Sequence, residues 1–300
     1  MLDQRTLHGV YFALAAYGFW GVAPIYFKLL DQVSVFEILS HRVIWSLVLL
    51  FGILVYTRQL STLRIDLHKV GLCLITAILL SLNWLIFIYA VIDDNIVEAS
   101  LGYFINPLVS VFLGMIFLRE SLRPLQWIAI GMAIFGIVFQ LVAYGSLPWI
   151  SVALAFSFGF YGLIRKSMQL PAIAGLTIET LWMLPVALTY LAWIYSNGNY
   201  SFGQVGYNID LLLIMGGVVT SFPLLCFAAA VGRLSLTSVG MIQYLAPSLS
   251  LLIAVLLYGE PFGYERQVTF ACIWAALLMF SGETLYHHRR INRRITVETL

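Results

Sequence analysis

A glutamate, a histidine and an arginine lie within six residues of one apolar segment, at Glu37, His41 and Arg42. A charge at the centre of a membrane costs about 2.5–3.5 kcal/mol on insertion scales, whereas each Leu, Ile, Val or Phe contributes only about 0.3–0.6 kcal/mol. Such a segment is stable in lipid only if its polar face meets protein or water. Glu37, His41 and Trp45 are spaced i, i+4, i+8 and share that face, while Arg42 points about 100° away.

Two interpretations of this polar face remain open. Histidine titrates near neutral pH, so Glu37 and His41, one turn apart, form a pair suited to carrying a proton. Alternatively, the two side chains form a structural polar cluster near the membrane surface. Glu179 repeats Glu37 in the second half of the chain. It is either a second proton-coupling carboxylate or a carboxylate favoured by the start of a helix.

The composition indicates an all-α integral membrane protein. The chain is 61% hydrophobic and 10% charged, against about 25% charged residues in soluble domains. A net charge of +2 gives no reason to expect nucleic acid as a partner. The three cysteines lie in apolar runs without disulfide or metal-ligand spacing, so neither a metal nor a cofactor is expected.

Segments of about 20 apolar residues predict ten transmembrane helices. They run over residues 8–28, 36–56, 70–91, 98–118, 125–143, 147–164, 173–195, 210–231, 237–258 and 267–286. Lys and Arg concentrate in alternate loops, with thirteen of the 16 on the side of the termini. Because cytoplasmic loops hold this excess, we expect both termini, including a basic tail at 287–300, to be cytoplasmic.

Residues 98–120 are repeated 140 residues later. They align without a gap on residues 238–260, which places Pro107 on Pro247 and Glu120 on Glu260. Each repeat holds five spans, and because five is odd, the second repeat enters the membrane from the opposite side. The sequence therefore predicts two inverted five-helix repeats, at 8–143 and 147–286, of the kind that supports alternating access.

The two proline-bearing spans are predicted to line a central cavity. Pro107 and Pro247 each free a carbonyl one turn back, which predicts a kink in each helix. The side chains expected to face the substrate are polar or aromatic residues of these two spans and of their neighbours: Trp45, Asn83, Trp84, Tyr103, Asn106, Tyr161, Gln243 and Tyr244. Core packing is the competing interpretation for any one of the aromatic residues.

The doubled pattern of a proline-bearing helix ending in Gly-Glu or Arg-Glu resembles the EamA repeat of the drug/metabolite transporter superfamily. Five longer strings resemble the RarD-type permeases of bacteria: HRVIW (41–45), NWLIFIYAV (83–91), EASLGYFINPL (98–108), GSLP (145–148) and ETLWMLPVA (179–187). The resemblance implies a ten-helix permease of the bacterial inner membrane. RarD-type members are associated with chloramphenicol sensitivity or resistance.

The sequence contains no recognisable catalytic or nucleotide-binding motif, so we do not expect an enzyme or ATP as the energy source. We expect a secondary transporter in the lipid bilayer for a small molecule, such as chloramphenicol or a metabolite. Proton-coupled efflux through Glu37, His41 and Glu179 is one hypothesis, and uncoupled exchange is another. A lipid or sugar-lipid translocase of the same architecture remains open, and a lateral cleft lined by basic residues would favour it. A homodimer is also an open expectation.

Overall fold

A computed structural model describes residues 4–92, 96–145, 149–258 and 263–298, and in this part of the chain all regular secondary structure is helical. Glu260 lies outside the described residues, and the side chain of Glu98 is not described. The helices are α1 (Gln4–Lys28), α2 (Val35–Tyr56), α3 (Leu67–Ile92), α4 (Ile96–Leu118), α5 (Pro124–Tyr144), α6 (Trp149–Met168), α7 (Ala172–Ser196), α8 (Tyr207–Val231), α9 (Leu236–Gln243), α10 (Leu245–Tyr258) and α11 (Tyr264–Glu298), with a 3₁₀ turn at Leu60–Leu63.

Every predicted segment coincides with helix, with two departures. The ninth is divided at Tyr244 into α9 and α10, so that Pro247 falls in the first turn of α10, where a missing N–H breaks no intrahelical bond. The last continues as one helix to Glu298, through residues predicted to form a separate tail. No Gly or Pro occurs between Glu283 and Glu298 to stop the helix.

Seven helical segments in the described residues are long and apolar enough to cross a membrane. They are α1, α2, most of α3, α5, α7, α8, and the α9–α10 segment taken together, and residues 102–118 of α4 add a shorter apolar helix. Large apolar side chains are exposed on the outside of the bundle, such as Val186 at 74% and Leu278 at 70%. Continuous exposure of this kind suits contact with lipid rather than water. The chain is a multi-pass membrane protein.

The two halves of the chain are interleaved rather than placed side by side. Helix α1 packs against α8 and α10, and α6 packs against α3 and α4. In the same way α2 packs on α7 and α8, α4 on α9, and α5 on α11. Each of these contacts joins a helix of residues 4–144 to a helix of residues 149–298. The centre of the bundle is therefore an interface between the halves.

Glycine permits close contact at two of these crossings. A Cβ at Gly217 of α8 would lie 2.5 Å from the backbone carbonyl carbon of Trp45 in α2. A Cβ at Gly240 of α9 would lie 2.8 Å from the carbonyl oxygen of Pro107 in α4. Membrane helices approach closely where small residues face a neighbouring backbone. The interface between the halves is therefore tightly packed on both sides of the bundle.

Candidate functional site

Glu37 and His41 lie in the first two turns of α2, beneath the loop between α7 and α8. Glu37 is buried, and its Oε1 accepts hydrogen bonds from the backbone N–H groups of Ser201 (2.8 Å) and Phe202 (3.1 Å). The ring of Phe202 stacks on His41 with 4.8 Å between ring centroids. Oε2 of Glu37 and Nε2 of His41 are buried without a hydrogen-bond partner. The loop therefore covers both side chains, and each keeps one polar atom available.

Trp45 joins this cluster on the predicted face of α2. Its indole Nε1 donates to Nδ1 of His41 at 3.3 Å. This bond assigns the proton of the neutral imidazole to Nε2, which is the unpartnered nitrogen. The described hydrogen bonds do not join Glu37 to His41, so the two side chains do not share a proton in this conformation.

Glu179 belongs to a second buried cluster, between α6 and α7. Oε1 lies 3.6 Å from Nη1 of Arg165 and accepts a hydrogen bond from Thr76 Oγ1 at 2.7 Å. The Tyr161 hydroxyl donates to Oε2 at 3.4 Å. A Cβ at Gly175 would lie only 1.7 Å from the Arg165 guanidinium, so glycine leaves the room that the arginine occupies. Glu179 lies two turns inside α7, which rules out a helix-start role.

Arg42 faces α8 and α3, away from the Glu37 cluster. Its Nε donates to Thr220 Oγ1 at 2.7 Å. Its guanidinium carbon lies 4.7 Å from the centre of a Trp84 ring and 5.3 Å from that of Phe27, which is cation–π geometry. Among the residues whose side chains the structure describes, no carboxylate pairs with Arg42. Arg42 therefore brings a positive charge into an aromatic and apolar environment.

A small cavity lies at the centre of the bundle, between α2, α3, α7 and α8. Trp84 and Thr220, the two partners of Arg42, form part of its wall, together with Thr180 and Ser221. Its volume is about 10 Å³, room for a single water molecule. Drug-sized ligands occupy pockets of roughly 300–1,000 Å³. This cavity is therefore too small for such a ligand in this conformation, and its walls must move before a substrate fits there.

Two other predicted substrate residues lie at the α3 side of the bundle. The Asn83 amide donates to the Leu154 carbonyl and to Ser157 Oγ, both at 2.9 Å, so it fastens α3 to α6. Tyr103 is 40% exposed and packs edge-on against Phe87. Of the two, Tyr103 is the side chain that a ligand can reach.

The remaining predicted residues are packed inside the protein. Tyr161 is fully buried, and Gln243 accepts a hydrogen bond from the Tyr17 hydroxyl at 3.4 Å. Asn106 and Tyr244 are buried, and the Asn106 Oδ1 atom and the Tyr244 hydroxyl have no hydrogen-bond partner. The lining of the central cavity includes Trp84 and Thr220 but not Asn106, Tyr161, Gln243 or Tyr244. Pro107 lies within α4, which continues through it without a break.

The end of the bundle opposite the α7–α8 loop is closed by Glu120. Its carboxylate accepts hydrogen bonds from the N–H groups of Leu236 (2.6 Å) and Thr237 (2.9 Å) and from Thr237 Oγ1 (2.7 Å), at the start of α9. Beside it, Lys166 donates to the carbonyls of Val231 (3.1 Å) and Leu234. Both ends of the interface between the halves are therefore held by polar contacts.

Several residues of these clusters were missed or misplaced by the sequence analysis. Thr76 and Thr220 lie in apolar runs where a single hydroxyl gives no signal. Arg165 precedes Lys166 at the end of an apolar run, where a pair of basic residues is typical of a cytoplasmic loop. Its side chain is instead 2% exposed, and the signal that could have found it was a buried glutamate, Glu179, in need of a counter-ion.

The apolar helices, the interleaved halves and the buried charged groups between them define a multi-pass membrane protein. A protein of known crystal structure has the same fold, with a TM-score of 0.71 over 92% of this chain and 97% of that chain at 16% sequence identity. At this identity the likeness concerns the fold alone.

The sequence profile of the EamA-like transporter family matches residues 7–142. An uncharacterized transporter of Vibrio cholerae is 49% identical over 94% of this chain and 95% of its own length. Protein RarD of Escherichia coli is 48% identical over 97% of this chain and 99% of its own length. The chloramphenicol-sensitive protein RarD of Pseudomonas aeruginosa is 33% identical over 95% of this chain and 97% of its own length. The chain belongs to the EamA-like transporter family and is of the RarD type.

Proposed function

We propose that this protein is a secondary transporter that moves a small organic molecule across the bacterial inner membrane by alternating access. The observation that carries the proposal is the position of the buried and partly buried ionisable groups. Glu37 and Arg42 lie on α2, Glu179 lies on α7, and these two helices pack against each other where the halves of the chain meet. Charged groups inside a membrane bundle are costly and characteristically mark a transport pathway.

The packing of the helices supports two inverted repeats, at residues 8–143 and 147–286. A half-turn that exchanges the repeats maps the contacts of α1 with α8 and α10 onto contacts of α6 with α3 and α4, and both sets exist. The contact of α2 with α8 likewise maps onto that of α3 with α7. With ten spans and the excess of Lys and Arg inside, both termini and the residues 287–300 are cytoplasmic.

In this scheme the structure corresponds to a closed intermediate of the cycle. The Glu37 contacts with the α7–α8 loop block the outer end, and the Glu120 contacts with α9 block the inner end. The central cavity, at about 10 Å³, is too small for cargo. Alternating access requires that the two sets of contacts break in turn and not together.

For energy coupling we favour protons exchanged at Glu37 and His41, with Glu179 as the corresponding carboxylate of the second repeat. The free Oε2 of Glu37 is one atom that would take up a proton. His41 would do so at Nδ1 after the Trp45 hydrogen bond is released, because Nε2 already carries a proton in this conformation. Uncoupled exchange is the competing mechanism, in which the contacts of both residues with the loop are purely structural. The Arg165 ion pair favours a structural role for Glu179.

The test uses sealed vesicles that contain the protein and an imposed pH gradient. Chloramphenicol is the first probe, because one relative is named for sensitivity to it, and a panel of labelled metabolites follows. Wild type should accumulate a substrate against its gradient, and Glu37→Gln and His41→Asn should transport without accumulation. Arg64→Gln, at an exposed loop residue, is the control. The hypothesis of proton coupling is wrong if the pH gradient drives no accumulation in wild type. The assignment to Glu37 and His41 is wrong if both variants still accumulate substrate in response to the gradient.

A lipid translocase is the alternative that a lateral groove would favour, and such a groove lies between α10 and α11. Its volume is about 570 Å³. Its described lining is apolar except for Ser248 and Gln267, and none of these lining residues is basic. The described part of the lining therefore suits an acyl chain and provides no basic residue for a lipid headgroup, which favours a soluble substrate.

A further inference from the structure

We propose that Arg42 binds the anionic group of the substrate, and that the substrate is a small organic monoanion, a carboxylate with an apolar or aromatic body. This inference rests on the proposed transport function and narrows it to a class of substrate. It assigns a role to a residue that lies outside the Glu37 and Glu179 clusters.

The first argument compares Arg165, which is buried, with Arg42, which is partly buried. Arg165 has its counter-ion within the protein, the Glu179 carboxylate. Arg42 has no carboxylate partner among the described side chains, and Glu37, on the same helix, is bonded to the α7–α8 loop instead. A charge that is partly removed from water without a counter-ion is unfavourable. A site that nevertheless keeps such a charge is suited to receive the compensating charge from a ligand.

The second argument is the orientation of the guanidinium. Thr220 engages Nε, whereas Nη1 and Nη2 make no hydrogen bond to the protein residues that the structure describes. These two nitrogens form the edge of the guanidinium that binds a carboxylate through two parallel hydrogen bonds. Trp84 and Phe27 contact the group by cation–π interactions rather than by hydrogen bonds to these two nitrogens.

The third argument is the surroundings of the charge. Trp84 and Thr220 also line the central cavity, so a ligand bound to Arg42 extends into the space that must open during transport. The aromatic rings offer an apolar surface to the body of the ligand, and Tyr103 is near enough to interact electrostatically with Arg42. One positive charge balances a monoanion, whereas a phosphate dianion would leave a negative charge uncompensated in an apolar site.

The experiment measures binding to the purified full chain in detergent. Thermal unfolding is recorded with benzoate and phenylacetate and, as uncharged matches, benzamide and phenylacetamide. We expect the carboxylates to raise the melting temperature of wild type and of Arg64→Gln, and the amides to have no effect. Arg42→Gln should bind the carboxylates about 10- to 100-fold more weakly, as expected for the loss of hydrogen bonds between charged groups.

The unliganded variants separate a binding role from a structural one. Arg42→Gln should keep or raise the melting temperature without ligand, because it removes an uncompensated charge, and Arg42→Lys should retain part of the binding. The proposal is overturned if neither carboxylate binds, if the amides bind equally well, or if Arg42→Gln binds carboxylates like wild type. This measurement does not depend on transport. Carboxylate binding would therefore still be established if the vesicles showed no transport. Transport of neutral compounds that is insensitive to Arg42→Gln leaves the transporter proposal intact and overturns only the anion site.

Discussion

Nη1 of Arg165 lies 3.6 Å from Oε1 of Glu179, and both side chains are almost completely removed from solvent. The two residues come from consecutive helices, α6 and α7, and the pair is completed by Thr76 of α3. A buried ion pair of this kind contributes little compared with two apolar residues, but each charge depends on the other.

Removing one member of this pair should destabilise the protein strongly. Arg165→Met or Glu179→Gln alone should lower the free energy of unfolding. For Arg165→Met the loss should be about 3–5 kcal/mol, because this variant leaves the Glu179 carboxylate buried without its counter-ion. The double variant should regain most of the loss. Chemical unfolding in detergent measures all three against wild type. Single variants as stable as wild type would contradict a buried ion pair.

Replacing Glu120 should loosen the start of α9. Because its carboxylate accepts three hydrogen bonds there, Glu120→Ala should cost about 0.5–2 kcal/mol, the range for loss of a helix cap. Hydrogen exchange at the amides of Leu236 and Thr237 should accelerate. Glu265→Ala is the matched control, since Glu265 is an exposed carboxylate in the first turn of α11. Unchanged exchange in Glu120→Ala would mean that the cap does not form.

The crossing of α2 and α8 should tolerate no side chain at Gly217. Gly217→Ala places a methyl group against the backbone of Trp45 and should cost about 1–3 kcal/mol, as overpacking does. Gly52→Ala, on an exposed part of α2 with nothing within 4 Å, is the control and should leave stability unchanged or raise it by up to about 1 kcal/mol. Equal melting temperatures for the two variants would argue against the close crossing.

The proposed topology places the α7–α8 loop outside and the α2–α3 loop inside. In a variant without the three native cysteines, a membrane-impermeant maleimide should label Asn199→Cys on intact cells. It should label Gln59→Cys only after permeabilisation. Both positions lie in exposed loops, so reactivity reports the side of the membrane. The reverse pattern would overturn the orientation.

The positions of the helices could be predicted because a lipid environment requires long apolar runs, and the chain has few charges to interrupt them. The division of the ninth segment at Tyr244 could not be predicted from the sequence. Pro107 and Pro247 occupy equivalent places in the two repeats, yet α4 is continuous and the ninth segment is not. The break therefore depends on what surrounds each proline and not on proline alone.

The site was predictable in part. The shared face of Glu37, His41 and Trp45 and the divergent direction of Arg42 follow from helix geometry, and the structure has both. The partners of these residues do not follow. Thr220 lies 178 positions from Arg42, and Ser201 lies 164 positions from Glu37. Such contacts are set by the packing of the halves, which local sequence patterns do not encode.

The break between α9 and α10 gives one membrane crossing two different attachments. Helix α9 is joined to α4 through Glu120 and Gly240, whereas α10 is joined to α1, where Ser250 donates to the Gly21 carbonyl at 3.0 Å. A continuous helix would transmit any rotation along its whole length. At Tyr244 the backbone N–H donates to the Met241 carbonyl, three residues back, at 3.3 Å, so the regular α-helical pattern is interrupted and α9 and α10 need not move as one rigid helix. The crossing therefore consists of two helical segments that attach to different helices of the first half of the chain.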